Sequence, residues 1–464
     1  MKIIIQSLAN AEDNAMLQAL YSRSAESVTT HLERVEKAGS GKFMAQYYLG
    51  YGHASIGDCG SDTVFIEGVS MLAAKAIEDN PLFVGQECSS RYIDFSTQEF
   101  YVPCAKVEIM EEIHQLYNKF RAFYTASLEP LKAALRERFP KKEDDKDTVY
   151  EKAIAARAFD ILRGFLPAGA TTNVAWSFRL SNADEHLRWM MHHPLEEVKR
   201  IGALVYEMLH KKYPNSFHKD YADVVHAMKE LDDGDGLLLE IEGDATFTYL
   251  SQMEHFYTEF KDSGKFSKIA SAEDVYTEVE FDEDLSIHLK YFQGYKARQR
   301  KTRLPKHSLV RIQSVYVSTM IDFGSFRDIQ RHRNGYCNMP MLTCDYGIHP
   351  WYYENLTEEL RKDAYILLNE IEKVYTELRK TEEVVQLQYI LPMGFIVPTM
   401  LKYDVGQAVY VAELRSGKTV HATLRPVAQK LAASLEELGI PVFYDKEESD
   451  WTVKRGEQDI VSKS

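Results

Sequence analysis

Two periods of hydrophobic and polar positions run along the chain. Val198, Ile201, Val205, Met208 and Leu209 recur at the three- and four-residue spacing of one helix face. Leu424, Val427, Leu431, Leu435 and Leu438 do the same, and Pro426 is compatible with that helix only in its first turn. The strand-like runs are shorter: "MKIII" at the start, "DTVFIEG" from Asp62, and "LVRIQSVYVSTMIDF" from Leu309. Helix is expected to exceed strand, in an α+β arrangement.

Between these elements the composition shifts. The stretch "LDDGDGLLLEIEGDA" (231–245) is rich in Asp and Gly and predicts a joint, so the chain divides into 1–230, a connecting segment 231–284, and 285–464. Residues 135–150 and 210–222 are charged and polar and are expected at the surface. Residues 296–311 hold seven Lys or Arg. They read either as a solvated basic loop or as an anion-facing lead into the next strand.

Composition narrows the class. The chain has 464 residues, is 45% hydrophobic and 27% charged, and carries a formal net charge of −15. That profile fits a folded, soluble protein whose basic residues are gathered in sites, and it argues against broad nucleic-acid binding. Five cysteines form neither a CxxC pair nor a cluster with zinc spacing, so free thiols, a reducing compartment and no metal site are expected. There is no run of 18 apolar residues to span a membrane, and the N-terminus is too short and polar for a signal peptide. The cytoplasm is the expected location.

The two halves repeat an order of features. The first reads YGHASIGD, TVFIEG, QECSSRY, LRGFLPAG, AWSFRL and an amphipathic helix. The second reads LPKHSLV, YVSTMIDFG, IQRHRNGYCN, YILPMG, VAELRSG and an amphipathic helix. Within that order the chemistry is divided. Ser89-x-Arg91 lies in the first half, and seven residues before it stand Asp79–Asn80–Pro81. Arg331–His332–Arg333 lies in the second half, and seven residues after it stand Met341-x-Thr343. Arg163 precedes Leu166–Pro167, whereas Gln388 precedes Leu391–Pro392. Leu414–Arg415 has its first-half counterpart near His193.

These pieces resemble the flavin-dependent thymidylate synthases, the ThyX family, whose signature joins R-H-R to S-x-R across seven residues. The resemblance covers roughly 1–215 and 285–440. It implies two diverged repeats, each an antiparallel sheet packed with helices: a phosphate half-site in 1–230 and a flavin half-site in 285–464. It further implies that dUMP is held by Glu87, Ser89, Ser90, Arg91, Arg163, Arg331 and Arg415, with Arg415 and Arg331 catalytic. FAD would be held by His53, Ser55, Asp58, His307, Arg331, His332, Arg333 and Asn338.

The residue types suit those roles. A phosphate dianion needs guanidinium and hydroxyl donors. A fixed cation at the uracil oxygens would stabilise charge that develops as C5 is methylated. The implied reaction is reductive methylation of dUMP to dTMP, with methylenetetrahydrofolate as methylene donor and NAD(P)H reducing FAD. No enzyme nucleophile is needed, so Cys88 reads as structural. The implied partners are small molecules and a second copy, giving a homodimer that mimics the family's tetramer. Departures from the signature keep two alternatives open: a methyltransferase for another pyrimidine nucleotide, and a non-catalytic nucleotide- or flavin-binding homologue.

Overall fold

The computed structural model describes residues 1–5, 10–22, 24, 26–50, 54–90, 94–103, 106–143, 145–217, 276–282, 292–302, 304, 313–381 and 384–446. The joint expected at 231–245 lies outside them. The strands are β1 (Lys2–Ile5), β2 (Ser61–Ser70), β3 (Val84–Glu87), β4 (Thr171–Arg179), β5 (Thr277–Phe281), β6 (Ser314–Asp322), β7 (Gly335–Asn338) and β8 (Ile396–Asp404). The longer helices are α1 (Ala11–Tyr21), α2 (Val28–Ala38), α3 (Met71–Glu78), α4 (Val107–Arg138), α5 (Asp147–Leu162), α6 (Leu180–Met191), α7 (Glu196–Lys212), α8 (Phe323–Gln330), α9 (Glu358–Leu378), α10 (Val405–Arg415) and α11 (Arg425–Glu437).

The fold is α+β, with two four-stranded antiparallel sheets of identical order, β1-β2-β4-β3 and β5-β6-β8-β7. The registers match as well. Ser61 lies opposite Arg179, and Ser314 lies opposite Asp404. Val84 faces Ser177, and Tyr336 faces Lys402. One difference is a bulge in β2 at Gly68, whose φ of 71° suits glycine. Strands β2 and β6 each feed a helix through a side-chain cap: Ser70 accepts from the Ala73 amide, and Asp322 from the Ser325 amide.

The chain gathers into two compact units that cross the linear order: Met1–Cys88 with Thr171–Gln252, and Ser89–Ala170 with Met253–Ser464. Helices α4 and α5, from the first repeat, therefore group with the second sheet. In the first unit, alternation along β2 and β4 turns Val64, Ile66, Val174, Trp176 and Phe178 inward. Helix α7 covers them with the expected face, Val198, Ile201, Val205 and Leu209, while Met208 is half-buried. Its period continues through Tyr213 and Phe217, both fully buried, so 210–222 is not all surface. Leu135 and Tyr150 likewise place part of 135–150 in the core of the other unit.

The second unit contains a reciprocal contact between the repeats. Leu166–Pro167–Ala168–Gly169 and Leu391–Pro392–Met393–Gly394 lie side by side. The Ala168 amide donates to the Leu391 carbonyl at 2.7 Å, and the Met393 amide to the Leu166 carbonyl at 2.8 Å. The Gly169 amide bonds the Tyr389 carbonyl, and the Gly394 amide bonds the Gly164 carbonyl. Equivalent groups exchange equivalent bonds, as in a two-fold dimer interface folded into one chain. A Cβ on Gly394 would stand 2.6 Å from the Gly164 oxygen, so the approach requires glycine there. Lys119 of α4 pairs with Glu370 of α9 at 2.7 Å in the same unit.

Candidate functional site

The Arg331–His332–Arg333 turn follows α8 directly. Asp322 caps that helix at its start, and Arg331 is the C-cap residue at its end. The turn alternates outward and inward: Arg331 is exposed, His332 buried and Arg333 half-buried. Asn338, at the end of β7, is half-buried.

Two of the candidate residues, Arg163 and Arg415, converge on one further residue, Asp328, and a third, His332, joins them through Arg415. Arg163 Nη1 approaches Asp328 Oδ2 at 3.3 Å. Arg415 Nη2 donates to the Asp328 main-chain carbonyl at 2.5 Å, and Arg415 Nε donates to His332 Nε2 at 2.7 Å. A cation on the last carbonyls of α8 is favoured by the helix dipole and by the lack of intrahelical partners there. Arginine stays protonated, so His332 accepts through an unprotonated Nε2 and carries its proton on Nδ1.

Arg163 does not face solvent. It is 2% exposed and lies along α8 between Asp328 and Gly324, where a glycine Cβ would come within 3.3 Å of its Nε. Burial works against its charge, but Tyr352 and the carboxylates Asp328, Asp322 and Asp160 raise its pKa on balance. Asp322 also accepts from Tyr352 Oη at 2.7 Å and Thr423 Oγ1 at 2.5 Å. The Tyr352 hydroxyl is pushed well up by burial and then by Asp322. These side chains form a buried polar hub beneath the turn. Its carboxylates would oppose a phosphate dianion at Arg163 unless that geometry changed.

The remaining candidates divide between the units. Ser89 and Ser90 are half-buried in the second unit, with the Arg331–Arg333 turn. Glu87, Ser55 and Asp58 belong to the first. Ser55 and Asp58 are exposed, and Asp58 accepts a short hydrogen bond from Ser181. Arg91, His53 and His307 lie outside the described residues.

The first repeat fills the matching slots with other chemistry. By register, Asp79–Asn80–Pro81 occupies the place of Arg331–His332–Arg333. Asp79 pairs with Lys75 at 2.7 Å, and Asn80 donates to Asn182 at 3.1 Å. The Arg415 slot falls on Met190, fully buried and three residues before His193. Gln388, in the Arg163 slot, accepts from the Leu342 amide at 2.9 Å instead.

In the described part of the basic segment 296–311, Lys296 and Lys301 are exposed, while two arginines are held by carboxylates of the chain. Arg298 forms an ion pair with the fully buried carboxylate of Glu413, which also accepts from the Lys301 amide at 2.6 Å. Arg300 binds Asp445 at 2.5 Å and the Glu413 carbonyl at 3.0 Å.

Reasoning from sequence missed Asp328, Asp322, Tyr352 and Tyr403. Asp328 carried a usable signal, since it lies one helical turn before Arg331. Tyr403 did not. It is buried under β7, its hydroxyl lies 3.3 Å from Cys337 Sγ, and burial, then the thiol, pushes its pKa well up. Cys59, Cys88, Cys337 and Cys344 are free thiols. Among the described residues, no group of three His, Cys, Asp or Glu could hold a metal ion, and no helix is long and apolar enough to cross a membrane.

Comparison with known proteins adds two findings. A UPF0159 protein of Thermoplasma acidophilum is 22% identical, over 93% of this chain and 95% of its own length. UPF0159 proteins of Chlamydia muridarum and Chlamydia pneumoniae are 24% and 23% identical, over 86% and 91% of this chain and 78% and 82% of theirs. Each of these matches therefore runs through both halves of this chain. Residues 4–215, the first repeat, match the family model described as thymidylate synthase complementing protein, so the resemblance to the ThyX family is shown over that repeat.

Proposed function

We propose that the chain is a thymidylate synthase-like methyltransferase that converts dUMP to dTMP at a composite site within one chain. The observation that carries this reading is the grouping of Ser89, Ser90, Arg331, Arg333 and Arg415 in one compact unit, although they come from both repeats. The family match supports the reaction class.

The donor set suits the groups the reaction needs. Arg331, exposed, and Arg333, half-buried, offer guanidinium to an anionic diphosphate, with Asn338 a few residues further along. These residues would hold FAD. Bound there, the flavin would supply hydride and carry the methylene from methylenetetrahydrofolate. Ser89 and Ser90 would donate hydroxyls to the nucleotide phosphate. Arg415, fixed on two acceptors, would stabilise negative charge on a uracil oxygen without reorganising as that charge develops. Arg163 would act from beneath, holding α8.

The test is formation of dTMP by the purified protein from dUMP, methylenetetrahydrofolate, FAD and NADPH, with retained yellow flavin measured in parallel. Product and flavin together uphold the reading. A second reading, a flavin- or nucleotide-binding homologue without catalysis, is favoured by the carboxylates that already surround Arg163. It predicts ligand retention with no product. Neither product nor flavin would refute the proposal.

A further inference from the structure

We propose that His332 is a positioning residue, the acceptor that fixes Arg415, and not itself a ligand of the bound anion. The inference rests on the reading of this site as a methyl-transfer centre. Its geometry stands without that reading.

Three observations carry it. First, His332 faces inward between two outward-facing arginines: it is 7% exposed, while Arg331 is exposed and Arg333 half-buried. Second, its Nε2 receives Arg415 Nε at 2.7 Å, and the Asp328 carbonyl receives Arg415 Nη2 at 2.5 Å. Two acceptors on one side of a planar guanidinium fix both its position and its plane, which a single contact would not do. The Tyr410 ring, 6.2 Å away and edge-on, packs against the imidazole from the helix that carries Arg415. Third, the molecule contains its own comparison. In the first repeat the arginine slot is Met190 and the histidine slot is Asn80, which turns to Asn182 of the same helix. Both members of the pair differ together, as expected if each is useful only with the other.

The experiment compares His332→Leu, His332→Gln, Arg415→Met and the double variant His332→Leu/Arg415→Met, by steady-state kinetics with dUMP and by nitrogen NMR of histidine-labelled protein. Losing a hydrogen bond to a charged group corresponds to about 10- to 100-fold in rate. His332→Leu should lower kcat by that factor while the nucleotide KM moves less than about threefold. The double variant should lose no more than Arg415→Met alone, because the histidine acts only through the arginine. His332→Gln presents an amide oxygen near the place of Nε2 and should recover most of the loss. In the wild type Nε2 should resonate as an unprotonated nitrogen, and Arg415→Met should shift it. Additive losses, or a wild-type imidazole protonated at Nε2, would overturn the proposal. If the wild type forms no dTMP the methyl-transfer reading fails, and the nitrogen spectra alone decide the positioning role. They also decide it if the leucine variant does not fold.

Discussion

The turn after α3 and the turn after α8 occupy the same place in two sheets of the same order, yet they are built for different ends. The first closes on itself: Lys75 neutralises Asp79, Asn80 ties to Asn182, and Met190 fills the space where the other repeat has arginine. The second keeps its ionic groups in graded exposure, with Arg331 outside, Arg333 half-covered and Arg415 held by His332 and Asp328. The backbone that supports each turn is common to both, down to the side-chain cap at the start of the helix. Fold and chemistry have therefore separated within one chain. Core positions keep the scaffold in each copy, while the arginine-bearing turn occurs in one of them.

The largest effect should come from the buried Arg163–Asp328 ion pair beneath the second turn. Asp328→Ala would leave Arg163 buried without its nearest carboxylate, at a cost of about 3–5 kcal/mol. The two matching slots hold uncharged residues, Ala76 in the first repeat and Gln388 in the second. Asp328→Ala combined with Arg163→Gln imports that uncharged pair and should be clearly more stable than Asp328→Ala alone. Urea unfolding of both variants checks this. Equal stabilities would mean that the pair has no role in the fold.

Next in size is the graft of a first-repeat residue onto the site. Arg415→Met removes the fixed cation and should lower dTMP formation by about 10²- to 10³-fold, with less effect on thermal stability. An active Arg415→Met enzyme would refute the catalytic assignment and erase the functional difference between the turns.

A pH experiment probes both units alike. His186 in the first and His349 in the second are each pushed down to about 4, in both cases chiefly by burial. Their unfolded forms titrate near the ordinary value of about 6.5. The unfolded chain therefore binds more protons between these values, and stability falls as pH drops through that window, by about 3 kcal/mol for each histidine. Above about pH 6.5 the contribution is flat. His349 Nδ1 accepts the Trp351 amide at 3.2 Å as a helix cap. His349→Asn keeps a capping acceptor and removes the titration, so it should flatten the acid limb of a stability–pH curve. An unchanged limb would show that the imidazole is not buried in its neutral form.

How much of this was legible beforehand follows from which forces leave a local trace. The faces of α7 and α11, the strand runs of β1 and β2, and the matching slots at 79–81 and 331–333 could be read because each is a periodicity or a count. The split of the first repeat between two compact units could not. It depends on where α4 finds a partner, and nothing near residue 89 encodes that. The fate of Arg163 was hidden for a similar reason. Its neighbours Asp322 and Asp328 lie far along the chain, so only the fold reveals that carboxylates surround it. The basic run at 296–311 looked unpartnered because Glu413 and Asp445 are equally remote.

The smallest effect belongs to a residue that chemistry invites one to overrate. Cys88 stands beside Ser89 in the proposed nucleotide half-site, where a thiol nucleophile would be tempting. Its backbone carries the structural role. The Cys88 amide donates to the Asn173 carbonyl at 3.0 Å, and its own carbonyl accepts from Thr172 Oγ1 at 3.4 Å, extending the pairing of β3 with β4. The thiol is only half-buried, so serine can replace it with little change in packing. By register its counterpart in the second repeat is Pro340, so the scaffold does not require a thiol at this position. Cys88→Ser should change stability by no more than about 0.5 kcal/mol and leave most of the activity. Mass spectrometry of the wild type after incubation with dUMP and a 5-halogenated analogue should find no covalent adduct on Cys88. A stable adduct there would replace flavin-borne chemistry with enzyme nucleophilic catalysis, and would move the centre of the site from the second repeat to the first.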